Sequence, residues 1–258
     1  MSDDKEKQSS REAGWSVDKG QERDLNEDSV GAVNMDLVEG DSTHSVSIFA
    51  VADGISGEEH GEVASSMAIH AVIDQIMQNL TSSDVEDDQD YRTWLENAFK
   101  TANKELLNDP RHMGTTLLTT IVVANTAFIA NVGDSRAYAL TKRGMNQITE
   151  DQTLLQVLLQ SGVIEEDQAI DHPYENILSQ AVGKEEELEP DVFSETFDPD
   201  KESYLLLCSD GLTKEVNETM IYRTVMQADT PQAACDQLVK MANRSGGNDN
   251  ISVVIIRF

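Results

Sequence analysis

Two apolar runs in this chain stop at the same dipeptide. Val46–Ala52 runs into Asp53-Gly54, and Tyr204–Cys208 passes through Ser209 into Asp210-Gly211. A third acidic turn, Asn248-Asp249-Asn250, opens the last apolar run, Ile251–Ile256. A short apolar strand that ends in a carboxylate holds that carboxylate at the rim of a sheet. Three such rims can converge on one place. Carboxylates held close together repel one another unless positive charge sits between them, and a hard divalent cation is the usual answer.

The rest of the chain narrows the fold. At 258 residues it suits one large domain or two small ones, and its 39% hydrophobic content is spread widely enough for a sizeable core. A formal net charge of −29 argues against nucleic acid and anionic membrane as partners, because phosphate surfaces demand clustered Lys and Arg. Here the 19 basic residues form no run. Cys208 ends an apolar strand and Cys235 lies on the apolar face of a helix, so both read as buried free thiols of a reducing, cytoplasmic setting. Met1–Ser10 is polar and charged, without the apolar segment of a signal peptide. The stretch Leu117–Val132 is interrupted by Thr and Asn, and reads as two strands and a turn rather than a membrane span.

Periodicity places the elements. Strands are expected over Trp15–Val17, Ser29–Met35 and Val46–Ala52, with a loop over Gly57–Gly61. A long helix follows to Leu80, with Ala64, Met67, Ala68, Ala71, Val72 and Ile76 on one face. After a polar break over Thr81–Asp90, a second helix runs to Leu107. Four short strands, Thr116–Ala124, Ala127–Val132, Arg136–Thr141 and Met145–Thr149, read as one antiparallel meander. Short helices are expected over Asp151–Ser161 and Glu165–Ile170, and a helical or irregular segment over Asn176–Val182. Strands return over Val192–Phe197 and Tyr204–Cys208. Two helices close the chain, one capped by Asn217 and one starting at Thr230-Pro231, before the terminal strand. This is an α+β pattern. Two antiparallel sheets face to face, with a helix pair on each outer face, bury every apolar surface. No exposed apolar stripe is visible, so a monomer is expected.

Taken singly, each polar motif has a bland reading. Asp-Gly is a common turn, and Gly133-Asp134-Ser135 between two strands is by default a hairpin. The ordered set is different. It comprises Asp18 to Asp28 (with Arg23, Glu27 and Asp28), Val51-Ala52-Asp53-Gly54, Gly61-Glu62-Val63-Ala64, Gly114-Thr115-Thr116, Gly133-Asp134-Ser135-Arg136, Ser209-Asp210-Gly211-Leu212 and Gly247-Asn248-Asp249-Asn250. Order and spacing resemble the metal-dependent protein phosphatases of the PPM (type 2C) family, and most closely its bacterial branch. The resemblance covers roughly residues 14–258, leaving 1–13 as a disordered tail. Residues of about 150–183, with His172-Pro173 and Ala181-Val182-Gly183, resemble the flap segment of the bacterial members.

The resemblance implies an α-β-β-α sandwich with two Mn²⁺ or Mg²⁺ ions at one edge. Asp53 would bridge both ions, and the Gly54 carbonyl would ligate one. Asp210 and Asp249 would ligate the other. Asp28, with Glu27 as a further candidate, would hold the first ion directly or through water. Arg23 would bind the phosphate, and Asp134 stands where bacterial members bind a weaker third metal. The implied activity is hydrolysis of phosphoserine and phosphothreonine in proteins, opposing a Ser/Thr kinase, with Arg23 and Asp28 closest to the chemistry. All-oxygen donors suit Mg²⁺ or Mn²⁺, and no Cys/His cluster suggests zinc. Paired ions can lower the pKa of a shared water, and an Arg fork can engage two phosphate oxygens.

Three positions depart from the family pattern. His60 stands two places later than the histidine that often follows Asp-Gly, and reads as a surface-loop residue rather than a proton donor. Lys214 occupies a position often acidic or Asn, and its charge opposes a cation at Asp134. Glu175 stands where the flap commonly carries Arg, a reversal that should alter substrate choice. These departures keep one alternative in view, a catalytically impaired relative that binds phosphoproteins without turnover. Retention of Arg23, Asp53, Asp210 and Asp249 argues against it. An acidic metal-buffer protein is the third reading, and no EF-hand-type loop supports it.

Overall fold

The reason several strands read as unbroken apolar runs is that they are buried on both faces. In β3 (Ser42–Asp53), Ile48, Ala50 and Ala52 point to one core and Phe49 and Val51 to another. In β9 (Ser203–Cys208), Leu206 and Cys208 face one core while Leu205 and Leu207 face the same central core as Phe49. The terminal β10 (Ile251–Arg257) alternates likewise, with Val253 and Ile255 outward and Val254 and Ile256 inward. Period-2 alternation between two apolar environments forces a sheet-on-sheet sandwich with helices outside. The computed structural model describes residues 11–39, 42–55, 60–82, 88–170 and 172–258.

Among the described residues the strands form two five-stranded sheets. One has the order β1-β10-β9-β6-β7, where β1 is Ala13–Asp18, β6 Arg136–Thr141 and β7 Gly144–Gln147. The other has the order β2-β3-β4-β5-β8, where β2 is Asp28–Glu39, β4 Leu117–Val123, β5 Thr126–Val132 and β8 Asp191–Thr196. Every pairing is antiparallel. Helices α1 (Gly61–Ser82) and α2 (Asp88–Leu107) cover the second sheet, burying Val72, Ile76, Leu95 and Phe99 against it. After a short α4 (Asp210–Thr213), helices α5 (Glu218–Gln227) and α6 (Pro231–Ser245) cover the first, burying Ile221, Val225, Cys235 and Leu238. The expected four-layer α-β-β-α sandwich is therefore the fold. Asn217 and Thr230 cap α5 and α6 by accepting hydrogen bonds from Met220 N and Ala233 N, as their positions in the sequence suggested.

Two expectations need correction. The four strands after Thr116 are not one meander: β4 and β5 stay in the second sheet, while β6 and β7 cross to the first. Arg136 pairs with Cys208 of β9 instead of continuing a hairpin on β5. The switch occurs at Gly133, whose φ of +106° suits glycine, and where a Cβ would stand 2.6 Å from the Thr116 methyl. Short-range turn signals are the same for a hairpin and for a sheet switch, so spacing alone could not separate them. The second correction is at the start. Residues 11–13 are held, with Glu12 O accepting from Arg257 N and the Arg11 guanidinium 4.3 Å from the Phe258 ring centre. Residues 1–10, most of the loop read over 57–61 and half of the polar break lie outside the described residues.

Segment 151–161 narrows to α3 (Leu154–Gln160), capped by Thr153, and 165–170 to one 3₁₀ turn at Glu166–Gln168. Residues 176–182 are irregular, tied down through bridges from Leu178 to Thr153 and from Val182 to Thr115. Cys208 and Cys235 are buried free thiols, as read, and burial pushes Cys208 up to about 12. No helix among the described residues is long and apolar enough to cross a membrane. The central core makes one stability prediction. Phe49 is fully buried between the sheets, so Phe49→Ala should cost about 3–5 kcal/mol in a chemical-denaturation measurement. A loss below about 1 kcal/mol would show that the two sheets do not share this core.

Candidate metal centre

The register of β2 on β3 sets Asp28 opposite Asp53 at the end of one sheet. From the other sheet, β9 leaves through Ser209 into Asp210, and β10 begins just after Asp249 and Asn250. Ser209 joins the two rims. Its N–H donates to Ser252 O at 3.1 Å, its hydroxyl oxygen accepts from Ser252 N at 2.9 Å, and that hydroxyl donates to Asp28 Oδ2 at 2.7 Å. Asn250, 1% exposed, ties down the loop that carries Arg23. Its side-chain amide donates to Lys19 O and Leu25 O, both at 2.9 Å, and its Oδ1 accepts from Glu27 N at 2.7 Å.

Asp53 is fixed through its backbone. Its N–H donates to Thr116 Oγ1 at 3.0 Å, and its carbonyl accepts from Thr115 Oγ1 and Thr116 N, both at 2.8 Å. The Thr116 hydroxyl meets that of Ser135 at 3.1 Å, linking Asp53 to the turn that carries Asp134. Gly54 donates to Glu27 O at 3.1 Å, and its lack of a side chain lets the start of α1 close in, since a Cβ there would lie 2.3 Å from Gly61 O.

The result is a cleft of about 510 Å³ whose lining includes Arg23, Asp53, Asp134, Asp210 and Asp249. Asp28 lies in the rim beneath it, 6% exposed, and Glu27 sits between Gly54 and Gly61. Each outer carboxylate has one oxygen engaged. Asp249 Oδ2 accepts from Arg23 Nη2 at 2.9 Å, Asp210 Oδ2 is ion-paired with Lys214, and Asp28 Oδ2 holds Ser209. Asp28 Oδ1 and Asp210 Oδ1 are buried without a hydrogen-bond partner. Such an orphaned carboxylate oxygen is costly unless something charged meets it.

Electrostatics report the same convergence. Burial, followed by the charges of Asp28, Asp210, Asp134 and Asp249, raises the Asp53 carboxyl well above its ordinary value. Burial also raises Asp28 to about 7, with Asp210 and Asp249 adding and the Ser209 hydroxyl opposing. Asp134 rises to about 7 through burial first and Asp210 second. Among the described residues, no three acidic, His or Cys side chains are drawn tightly enough together to hold an ion as they stand. The donor set itself, all oxygen and partly orphaned, fits a hard divalent cation.

Sequence reasoning had named these residues one by one, and the structure brings Arg23, Asp53, Asp134, Asp210 and Asp249 to one cleft, with Asp28, Glu27 and Gly54 in its rim. His60, exposed and at φ +75°, does not line it. Ser209 and Asn250 were missed as site residues, as was Lys184, which lines the cleft. Ser209 and Asn250 stand inside the motifs around Asp210 and Asp249, where the aspartates drew the metal-ligand reading and their polar neighbours none.

A cleft floored with carboxylates and edged by an arginine fits divalent-metal chemistry on an anionic substrate. The protein phosphatase 2C family profile matches residues 26–244. The serine/threonine phosphatase stp of Listeria monocytogenes is 36% identical over 253 residues, covering 95% of this chain and 94% of that protein. The crystal structure of serine/threonine phosphatase Stp1 from Staphylococcus aureus superposes with a TM-score of 0.81 at 30% identity, covering 97% of this chain and 96% of that one. The catalytic domain of serine/threonine protein phosphatase PstP, solved with 2 manganese ions, gives a TM-score of 0.74 at 28% identity, covering 95% and 96%. The chain belongs to the protein phosphatase 2C family.

Proposed function

We propose that this protein phosphatase hydrolyses phosphoserine and phosphothreonine in proteins by direct attack of water, using two Mn²⁺ or Mg²⁺ ions held at the carboxylate cluster. One observation carries the reading: buried carboxylates from both sheets meet at one cleft, with Asp28 Oδ1 and Asp210 Oδ1 left without a protein partner. Asp53, Asp210 and Asp249 would be the principal ligands, and the Gly54 carbonyl, Asp28 and Glu27 would complete the set. When bound, such ions supply an acidified water and cancel the repulsion between that nucleophile and a phosphate dianion.

The remaining steps belong to the chain. Arg23, held at the rim by Asp249, presents the rest of its planar fork to phosphate oxygens and orients the ester for in-line displacement. Ser209 and Asn250 lock Asp28 and the Arg23 loop in register, so little reorganisation is needed when the substrate arrives. Homology with PstP, solved with 2 manganese ions, supports the choice of metal. Opposition to a Ser/Thr kinase, action as a monomer and a cytoplasmic setting complete the proposal. The direct test is phosphate release from a phosphothreonine peptide. Turnover should require Mn²⁺ or Mg²⁺ and stop with EDTA, whereas turnover insensitive to EDTA would exclude this mechanism.

Lys214 sets a limit on metal binding near Asp134. Burial alone would lower its pKa, but the charges of Asp210, Asp134 and Asp249 raise it, so its ammonium stays charged beside Asp210. A third cation at Asp134 would face that charge, which makes any third site weak. Lys214→Asp should lower the Mn²⁺ concentration for half-saturation in a calorimetric titration by about tenfold. An unchanged titration would remove Lys214 from the account.

A further inference from the structure

We infer that the substrate is a phosphorylated segment carrying Lys or Arg on both sides of the phosphoresidue, a refinement that rests on the phosphatase reading above. The carboxylate cleft continues into a second depression of about 340 Å³, the two sharing Asp134, Asn176, Asp210 and Lys214. Together they make one groove with the phosphate-binding floor between its ends. Ile55, Lys184 and Glu185 line only the first depression, and Arg136, Asp151 and Glu175 only the second. An extended chain laid in this groove would put its phosphoresidue over the carboxylates and its neighbours at the two ends.

The charges along the groove settle what those neighbours should be. The basic groups that line it are already engaged. Arg23 pairs with Asp249 and Lys214 with Asp210, and Arg136 grips Asp151 through Nε at 2.8 Å and Nη2 at 2.5 Å. Lys184 Nζ donates to His112 O at 2.7 Å, toward the wall. Glu175 and Glu185 differ, because neither makes an ion pair among the described residues. Glu175 is exposed, Glu185 half-buried, and beyond Glu185 the exposed Glu186, Glu187 and Glu189 extend the same sign. A carboxylate without an ion-pair partner among the described residues thus stands on each part of the groove, where Arg136 and Lys214 are held in ion pairs and Lys184, still charged, is outnumbered by Glu185, Glu186, Glu187 and Glu189. Opposite charges there favour encounter and register, and like charges are rejected. The overall −29 would also attract any cationic peptide, so the inference is local and must be separated from that background.

The test uses the full-length protein with Mn²⁺ at low salt and four peptides sharing one phosphothreonine. They carry two Lys or two Glu on the N-terminal side, combined with two Lys or two Glu on the C-terminal side. The wild-type kcat/KM should favour Lys on both sides over Glu on both sides by about tenfold. Glu175→Gln should cut the preference on one side of the phosphothreonine and Glu185→Gln on the other. Asp229→Asn, a surface change on the loop before α6, should leave the preference intact. Equal rates across the four peptides would overturn the inference, as would a preference that survives the Glu175→Gln/Glu185→Gln double variant or falls as far in Asp229→Asn. Turnover of all four peptides without preference sinks only this inference, while turnover of none sinks the phosphatase reading with it.

Discussion

Asp53→Asn is expected to lower kcat by at least about 10²–10³-fold while leaving the protein as stable as the wild type, or more so, when divalent cations are removed. The two halves of this result come from one cause. Asp53 is buried and repelled by Asp28, Asp210, Asp134 and Asp249, which is why its carboxyl is held far above the ordinary range. A charge in that position destabilises the fold unless a cation compensates it. Its hydrogen bonds to Thr115 and Thr116 run through the backbone, so an amide side chain keeps them. Asn removes the charge and replaces one carboxylate oxygen, a donor that a cation would use, with an amide nitrogen. Activity and thermal unfolding in EDTA, measured on one preparation, check the prediction. A variant that loses both activity and stability would mean that Asp53 is structural, and one that keeps its activity would remove it from the metal centre.

The second large effect is a reversal of pH dependence by metal. Burial and neighbouring carboxylates push Asp28 and Asp134 up to about 7 in the folded protein and raise Asp53 well above its ordinary value, against about 4 for an unfolded carboxyl. Their folded pKa values are raised, so the stability they contribute is present below about pH 4 and is lost as pH rises through about 7. In EDTA, therefore, the melting temperature should fall between pH 5 and pH 8. Saturating Mn²⁺ replaces those protons, and its stabilising effect should grow over the same window. At a thousandfold excess over the dissociation constant it amounts to about 4 kcal/mol, or roughly 8–16 °C for a chain of this size. A Mn²⁺ effect that is flat or declining from pH 6 to pH 8 would contradict the assignment of these carboxylates as ligands.

How much of this could be read from residues alone depends on how local each signal is. The runs Val46–Ala52, Tyr204–Cys208 and Ile251–Ile256 announced buried strands, because burial on both faces leaves room for few polar residues, here Ser47 and Ser252. Helices α1 and α2 showed their apolar stripes, and Asn217 and Thr230 showed their caps. The acidic residues at strand ends were legible because a strand end fixes where its side chain can go. What sequence could not show was contact between distant segments. Ser209 bonds across to Asp28, and Asn250 to Lys19, Leu25 and Glu27, more than 180 residues away in each case. A serine or asparagine beside a strand is too common to suggest such a role. The sheet switch at Gly133 was hidden for a related reason, since a glycine turn serves a hairpin equally well. The groove of Glu175 and Glu185 emerged only once the path of residues 176–182 was fixed against Thr115 and Thr153.

The most direct measurement is anomalous scattering from crystals grown with Mn²⁺. Two strong manganese peaks should flank the Asp53 carboxylate, one of them also reached by Asp210 and Asp249 and the other by the Gly54 carbonyl and Asp28. Manganese found elsewhere on the surface, or no peak within coordination distance of Asp53, would contradict the account.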